Sequence, residues 1–141
     1  MKQFEFYIQN KDVRKISPDF ALASSLVKDM FNRTNMVLTL DLKKFAKIIF
    51  ENIYDALRDF CDALLIVDGY KSYSHEASIS YLKNYNFSEE DITKLDNFRY
   101  IRNGSKYYGK DISIQDAKEI KKFYLKNINK IKKNIREKIK E

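Results

Sequence analysis

The chain has little of what a disulfide-bonded or metal-binding protein needs. Its 141 residues include one cysteine, Cys61, one histidine, His75, and no tryptophan. A single cysteine excludes an internal disulfide framework, and no CxxC pair or metal-spaced histidine cluster is present. Cys61 falls in an apolar helical register between Phe60 and Leu64, which favours a buried, inert thiol over a nucleophile. We therefore expect no metal and no cofactor.

Helix breakers and long apolar runs are also scarce. One proline and three glycines in the whole chain favour long helices over the turn-rich layout of a small β-sandwich. The length is that of a single domain. No apolar run approaches the roughly 18 residues that a membrane span requires. The first residues, with Glu5 among them, lack the apolar core of a signal peptide, so we expect a cytoplasmic protein.

Charge is abundant, and its balance is basic. Lysine and arginine number 27 against 20 aspartates and glutamates, which gives a formal net charge of +7 and a pI near 9.3. A basic surface attracts anionic partners, with nucleic acid or a nucleotide first among them. A lysine-rich proteome would produce the same balance without such a partner, and both interpretations stay open.

Apolar residues recur every three or four positions over most of the chain, which predicts an all-α protein. Residues 1–16 fit neither the helical nor the strand period and are predicted as a short docked helix or an ordered arm. Residues 17–141 are predicted as one domain, an antiparallel bundle of four to five helices with a basic C-terminal helix. Capping residues and glycines set the helix boundaries. The predicted helices run from a Ser17 cap to about Thr34, from Leu42 to Val67, from a Ser74 cap to about Tyr85, from a Ser88 capping box to Gly109, and from a Ser113 cap almost to the C terminus.

Two polar features of these helices have simple explanations beside functional ones. The last helix is predicted to pack on the bundle in its first half and, beyond about Lys130, to project, fray or dock on a second subunit. Its basic face fits an acidic membrane or nucleic acid, and a solvated lysine face is the simpler interpretation. The second helix has a polar flank that could bind a metal or exchange protons, although surface ion pairs are favoured. The flank comprises Asp55, Arg58, Asp59 and Asp62.

The densest group of chemically useful side chains lies near the end of the fourth predicted helix. At 3.6 residues per turn, its cations and its amide lie on one side. Guanidinium groups form forked hydrogen bonds with phosphate oxygens, and tyrosine rings can stack. A solvated helix end, with its cations at the negative end of the helix dipole, is the alternative. The group comprises Arg99, Arg102, Asn103, Lys106 and Tyr107.

This group resembles the signature of the HEPN superfamily. There an arginine, four to six intervening residues and a histidine mark metal-independent ribonucleases and the toxin partners of minimal nucleotidyltransferases. Arg102 and Asn103 match the start of the signature, and Tyr107 stands where the histidine is expected, which is similar to a subgroup of stand-alone prokaryotic members. Residues 69–77 also resemble the loop and helix start before the signature helix. The likeness covers roughly residues 17–125.

The resemblance implies a homodimeric helical bundle that binds RNA or a nucleotide, with the phosphate near Arg102, Asn103 and Tyr107 and with weak or no catalysis. Two alternatives stay open. One is a metal-independent endoribonuclease, the toxin of a toxin–antitoxin pair. The other is an adaptor that holds substrate for a separate nucleotidyltransferase.

Catalysis would require a base that titrates near neutrality. A free phenol titrates near pH 10, so the replacement of the family histidine by Tyr107 predicts a poor base. His75 is the one residue whose ordinary pKa suits the task. It begins a helix, where backbone N–H groups favour anions. The candidate catalytic residues are thus Arg102, Tyr107 and His75, and the candidate binding residues are Arg99, Arg102, Asn103, Lys106, Tyr107, Lys71 and Ser74.

Overall fold

The computed structural model describes residues 1–139, and helices dominate it. The elements in chain order are α1 (Phe4–Gln9), β1 (Val13–Lys15), α2 (Phe20–Val37), α3 (Leu42–Val67), β2 (Tyr70–Ser72), α4 (His75–Ser80), α5 (Glu89–Tyr108) and α6 (Ile114–Lys138). The predicted helical fold is confirmed, with one small two-stranded sheet added. Within the described residues, no helix is both long enough and apolar enough to cross a membrane.

Helix α3 forms the centre of the core, with α2 and α6 packed along it. Its second half is buried almost all round, as expected of a helix enclosed by others. Aromatic rings connect the layers. The rings of Phe50 in α3 and Phe98 in α5 meet edge to face at 5.9 Å, and Phe98 meets Phe123 in α6 in the same way at 5.6 Å. These contacts fix the middle of α5 against the core.

The N-terminal arm is docked, and it contains both a helix and a strand. Strand β1 pairs with β2 in antiparallel register, with Arg14 opposite Lys71. The Tyr73 N–H donates to the Asp12 carbonyl at 2.8 Å, which continues the pairing towards α4. The ambiguous apolar period of residues 1–16 has its cause here, because a helical and an extended segment follow each other within it. The pairing holds the loop that leads into α4.

The turn between α3 and β2 requires a glycine. Gly69 has a φ of +89°, and the Ile16 N–H donates to its carbonyl at 2.9 Å. A Cβ at this position would lie 3.1 Å from the Ile16 carbonyl oxygen. A side chain would therefore be strained twice, by the left-handed backbone and by the close Ile16 carbonyl.

Helix α2 begins and ends later than the sequence predicted. Asp19, and not Ser17, is the N-cap, and its carboxylate accepts the Leu22 N–H at 2.9 Å. The helix continues past Thr34 to Val37 because the Thr34 hydroxyl is satisfied inside it. That hydroxyl donates to the Met30 carbonyl at 3.2 Å. A buried threonine with such a bond does not terminate a helix.

The predicted single helix from Ser74 to Tyr85 is instead two segments. Helix α4 ends at Ser80, whose hydroxyl donates to the Ala77 carbonyl at 2.7 Å and competes with the helical bond there. A 3-10 turn, residues 81–85, follows. The hydroxyls of Tyr81 and Tyr85 both donate to Asp68 Oδ2, and Lys138 Nζ lies 3.7 Å from Asp68 Oδ1. We call these four residues the Asp68 cluster.

The second half of α6 packs on the chain's own bundle, which corrects the prediction that it projects, frays or docks on a second subunit. Ile131 is fully buried in the main core. Ile139 is buried in a second cluster with Ala23 and Val27 of α2. The apolar stripe therefore continues to Ile139 because it has a partner surface along its whole length. Residues 140 and 141 lie outside the described part.

Helix α5 carries the predicted signature and has the predicted ends. Ser88 accepts the Asp91 N–H at 3.1 Å. The capping box is incomplete, since the Asp91 carboxylate lies 3.5 Å from Lys126 Nζ in α6. At the other end Gly109 has a φ of +65° and closes the helix by donating to the Gly104 carbonyl. The helix runs without interruption through Gly104.

Candidate functional site

Two adjacent grooves lie at the C-terminal end of α5 and share one wall. The wall is formed by Arg99, Asn103 and Tyr107. The smaller groove, of about 190 Å³, has His75 on its opposite side, and we call it the histidine groove. The larger one, of about 480 Å³, has further tyrosines, and we call it the tyrosine groove. The histidine groove is completed by Ser74 and Glu76, and the tyrosine groove by Tyr100, Ile101, Gly104, Tyr108, Lys110, Asp111 and Asp116.

The start of α4 is held rigidly beside this wall. The Ser74 hydroxyl caps α4 by accepting the Ala77 N–H at 3.2 Å. The Ser72 hydroxyl donates to the Ser74 carbonyl at 2.7 Å. Ser78, one turn further along α4, donates to Asp62 of α3 at 2.9 Å. Each bond is local or connects to the central helix, so the position of His75 follows from the fold.

His75 is neutral at physiological pH in this environment. Burial first, and then the positive charges of Arg58, Arg99 and Arg102, lower its pKa from 6.5 to about 4, against a smaller opposite effect of Asp55. Its Nδ1 lies 3.3 Å from the Tyr54 hydroxyl. The sequence predicted a histidine with an ordinary pKa, and the correction arises from α3 and α5, which are distant in sequence.

Arg102 is turned away from both grooves and binds carboxylates of α3. Its Nη2 lies 3.4 Å from Asp55 Oδ1, and its Nε lies 3.5 Å from Glu51 Oε2. Its side chain is 14 % exposed. Arg102 therefore does not line the grooves with Asn103 and Tyr107, and it influences His75 through its charge alone.

The other cations predicted for the site, Arg99, Lys106 and Lys71, also lie in different surroundings. Arg99 lines both grooves, and it is paired with Asp96 at 2.7 Å and with Glu76 at 3.6 Å. The Lys106 ammonium lies over the Tyr107 ring, 5.5 Å from its centroid, beside the grooves. Lys71 is on the arm side, over the ring of Tyr73 at 5.6 Å. The single cationic face expected from the helical spacing is thus split between core, groove and surface.

The acidic flank of α3 forms ion pairs that connect three helices. Arg33 of α2 lies 3.8 Å from Asp55 and 3.3 Å from Asp59, while Arg58 lies 4.0 Å from Asp62. Burial raises the pKa of Asp59 to about 6, although Arg33 opposes the shift. These pairs and those of Arg102 give the polar flank a structural role, because they join α3 to α2 and α5.

Comparisons with protein-family models, with curated proteins and with solved structures find no match to this chain. The HEPN resemblance stays a prediction.

Several residues at the site were missed in the sequence. Tyr54 lies on the apolar stripe of α3 and has no local signal that distinguishes it from a core aromatic. Glu51 and Glu76 look like surface carboxylates until the helices are packed. Asp96, by contrast, precedes Arg99 by three positions, a spacing from which an ion pair can be predicted.

We expect acid to destabilise the wild-type protein more than a His75→Gln variant. The folded pKa of His75 lies below its unfolded value near 6.5, so between these values protons bind preferentially to the unfolded chain. The stability that comes from keeping His75 neutral is fully present above pH 6.5 and is lost as the pH falls towards 4. With a discount for the partial exposure of the ring, the difference amounts to about 1–2 kcal/mol between about pH 7 and pH 4.5. Urea unfolding across this range measures it.

Asp59 also titrates in this pH range, so the effect of His75 has to be measured as the difference between the wild type and His75→Gln. Its pKa is raised, so the folded state binds the proton first, and its contribution stabilises the fold as the pH falls through 6. That contribution is common to the wild type and His75→Gln and cancels in the difference. An identical pH dependence of both proteins would show that His75 titrates normally.

Proposed function

We propose that this chain binds a nucleotide, free or within an RNA strand, at the end of α5, with weak or no catalysis. The phosphate would lie in the histidine groove near Asn103 and Arg99, and the base would stack on Tyr107 in the tyrosine groove. The supporting observation is the shared wall, because it offers a cation, an amide and an aromatic ring to one ligand that spans both grooves.

The size and the aromatic content of the tyrosine groove support the binding of a nucleobase. Its volume of about 480 Å³ lies within the range of roughly 300–1,000 Å³ typical of small-molecule sites. Tyr100, Tyr107 and Tyr108 are 67 %, 64 % and 78 % exposed. Exposed aromatic rings beside cations are typical of surfaces on which single-stranded nucleic acid stacks.

The charges around the grooves support the binding of an anion with modest affinity. Arg99 is partly neutralised by Asp96 and Glu76. Lys106 and Lys110 are exposed, and within residues 1–139 neither forms an ion pair. Their ammonium groups can therefore contribute to phosphate binding at the rim, where screening by salt is strong.

The chemistry of the wall supports binding over cleavage. Transfer from a 2′-hydroxyl requires a proton acceptor. Tyr107 provides a phenol there, and His75, with a pKa of about 4, is a weak base. Cleavage of RNA by the wild-type protein at neutral pH, lost in Tyr107→Phe, would favour the endoribonuclease. The homodimer and the nucleotidyltransferase partner stay predictions from the resemblance.

Replacement of Tyr107 by alanine should weaken the binding of adenosine 5′-monophosphate by about 1–3 kcal/mol, the contribution of one base–aromatic stack. Titration calorimetry at low salt measures the affinity, and the wild-type affinity should fall as salt is added. Tyr73→Ala is the matched control, since Tyr73 is also an exposed tyrosine but lines neither groove.

Two results would contradict this site. Equal affinity of the wild type and Tyr107→Ala would remove the stacking surface. Loss of binding only after the exposed lysines of α6 are changed to glutamine would place the site on that helix. Three of those lysines, Lys118, Lys122 and Lys126, border a separate groove.

A further inference from the structure

The hydrogen bond between Tyr54 and His75 can be formed in one direction only without burying an unpaired group. Tyr54 is 2 % exposed, and within the described residues its hydroxyl bonds only to His75 Nδ1. A phenol has one hydrogen to donate. If the Tyr54 oxygen accepted a bond from Nδ1–H, the hydroxyl hydrogen of Tyr54 would be buried without an acceptor, which is unfavourable. Tyr54 therefore donates, and Nδ1 accepts.

The direction of this bond decides the tautomer of His75. A neutral imidazole carries one N–H, so an accepting Nδ1 places the hydrogen on Nε2. Burial raises the pKa of Tyr54, which keeps its hydroxyl hydrogen in place. The low pKa of His75 keeps the ring neutral. Both groups thus hold the protonation states that the bond requires.

The second ring nitrogen is available to a ligand. His75 lines the histidine groove, and among the described residues Nε2 forms no hydrogen bond and is not one of the buried unpaired atoms. The positive charges of Arg58, Arg99 and Arg102 act on the ring and outweigh the opposite effect of Asp55. A donor N–H in a positive environment favours an acceptor that carries negative charge.

We propose that Tyr54 fixes His75 as the Nε2–H tautomer, so that His75 donates a hydrogen bond to an anionic phosphate oxygen in the histidine groove. The proposal rests on the proposed function and gives the groove its specificity for an anionic oxygen. Tyr54 is a positioning residue that acts through His75. In this tautomer the lone pair of Nδ1 is engaged and Nε2 has none to offer, so His75 does not accept the proton of a 2′-hydroxyl.

The tautomer can be observed directly, since every imidazole signal of the protein belongs to His75. Two-bond ¹H–¹⁵N correlation at neutral pH should show a protonated Nε2 and an unprotonated Nδ1. Tyr54→Phe should raise the proportion of the Nδ1–H form by about tenfold, the effect of losing one hydrogen bond. Tyr124→Phe is the matched control. Tyr124 is equally buried, and its hydroxyl donates to Thr34 at 3.1 Å, away from His75.

A wild-type spectrum of the Nδ1–H form, or of an even mixture, would overturn the inference, even if Tyr54→Phe failed to fold. An unchanged tautomer in a folded Tyr54→Phe protein would also overturn it. Addition of adenosine 5′-monophosphate separates this inference from the proposed function. Binding with a shifted Nε2–H signal supports both. Binding without that shift would show that His75 does not donate to the ligand, while nucleotide binding itself would stand. Absence of binding removes the function and the ligand role together, while the tautomer is read independently.

Discussion

Arg102→Ala should lower the free energy of unfolding by about 2–3 kcal/mol, somewhat less than the roughly 3–5 kcal/mol for removing one partner of a fully buried ion pair. The Arg102 side chain is 14 % exposed, and its guanidinium pairs with Glu51 and Asp55 of α3. Without it, Glu51 loses its only ion-pair partner among residues 1–139, and Asp55 keeps only Arg33 at 3.8 Å. Urea unfolding near pH 7, followed by circular dichroism, measures the loss.

Lys106→Ala is the control for this change, because it removes a cation one turn further along α5 that is exposed. We expect a change within about 0.5 kcal/mol for it. An equally small effect of Arg102→Ala would contradict the structural role of the ion pairs. The expected instability also means that ligand binding by Arg102→Ala has to be measured on protein shown to be folded.

Asp68→Ala should lower the free energy of unfolding by about 2–3 kcal/mol, since two buried hydroxyls lose a charged acceptor. Tyr81 and Tyr85 are each 7 % exposed and both donate to Asp68. The same change removes the carboxylate that lies beside Lys138 at the end of α6. Hydrogen exchange should increase in residues 81–85 before other parts of the core.

Asp111→Ala is the control here, since Asp111 is exposed and forms no ion pair within the described residues. It should be nearly neutral. If Asp68→Ala leaves both stability and the exchange of residues 81–85 unchanged, the Asp68 cluster contributes no stability.

Local chemistry explains which boundaries the sequence predicted well. Ser88 and Ser113 as N-caps and Gly109 as a left-handed C-cap act within a few residues of themselves, so the helix ends that they define are confirmed. The β1–β2 sheet was missed because its pairs, such as Val13 and Ser72, are distant along the chain and each strand has only three residues.

The candidate site shows the limit of helical spacing as a guide. Arg102 and Asn103 are consecutive, so they point about 100° apart on a helix. Spacing alone allows both on one broad face, and the carboxylates of α3 decide that Arg102 turns to the core while Asn103 lines the grooves. Similarly, the pKa of His75 depends on burial and on arginines of α3 and α5. Such partners become visible only after the helices are packed.

The packing of α6 along α3 has a consequence for synthesis of the chain. Ile120, Tyr124 and Ile131 cover the central helix, and they leave the ribosome after every other element described here. A nascent chain that ends before residue 114 exposes the apolar side of α3 and cannot complete its core. The earlier helices can therefore complete their core only after α6 has left the ribosome.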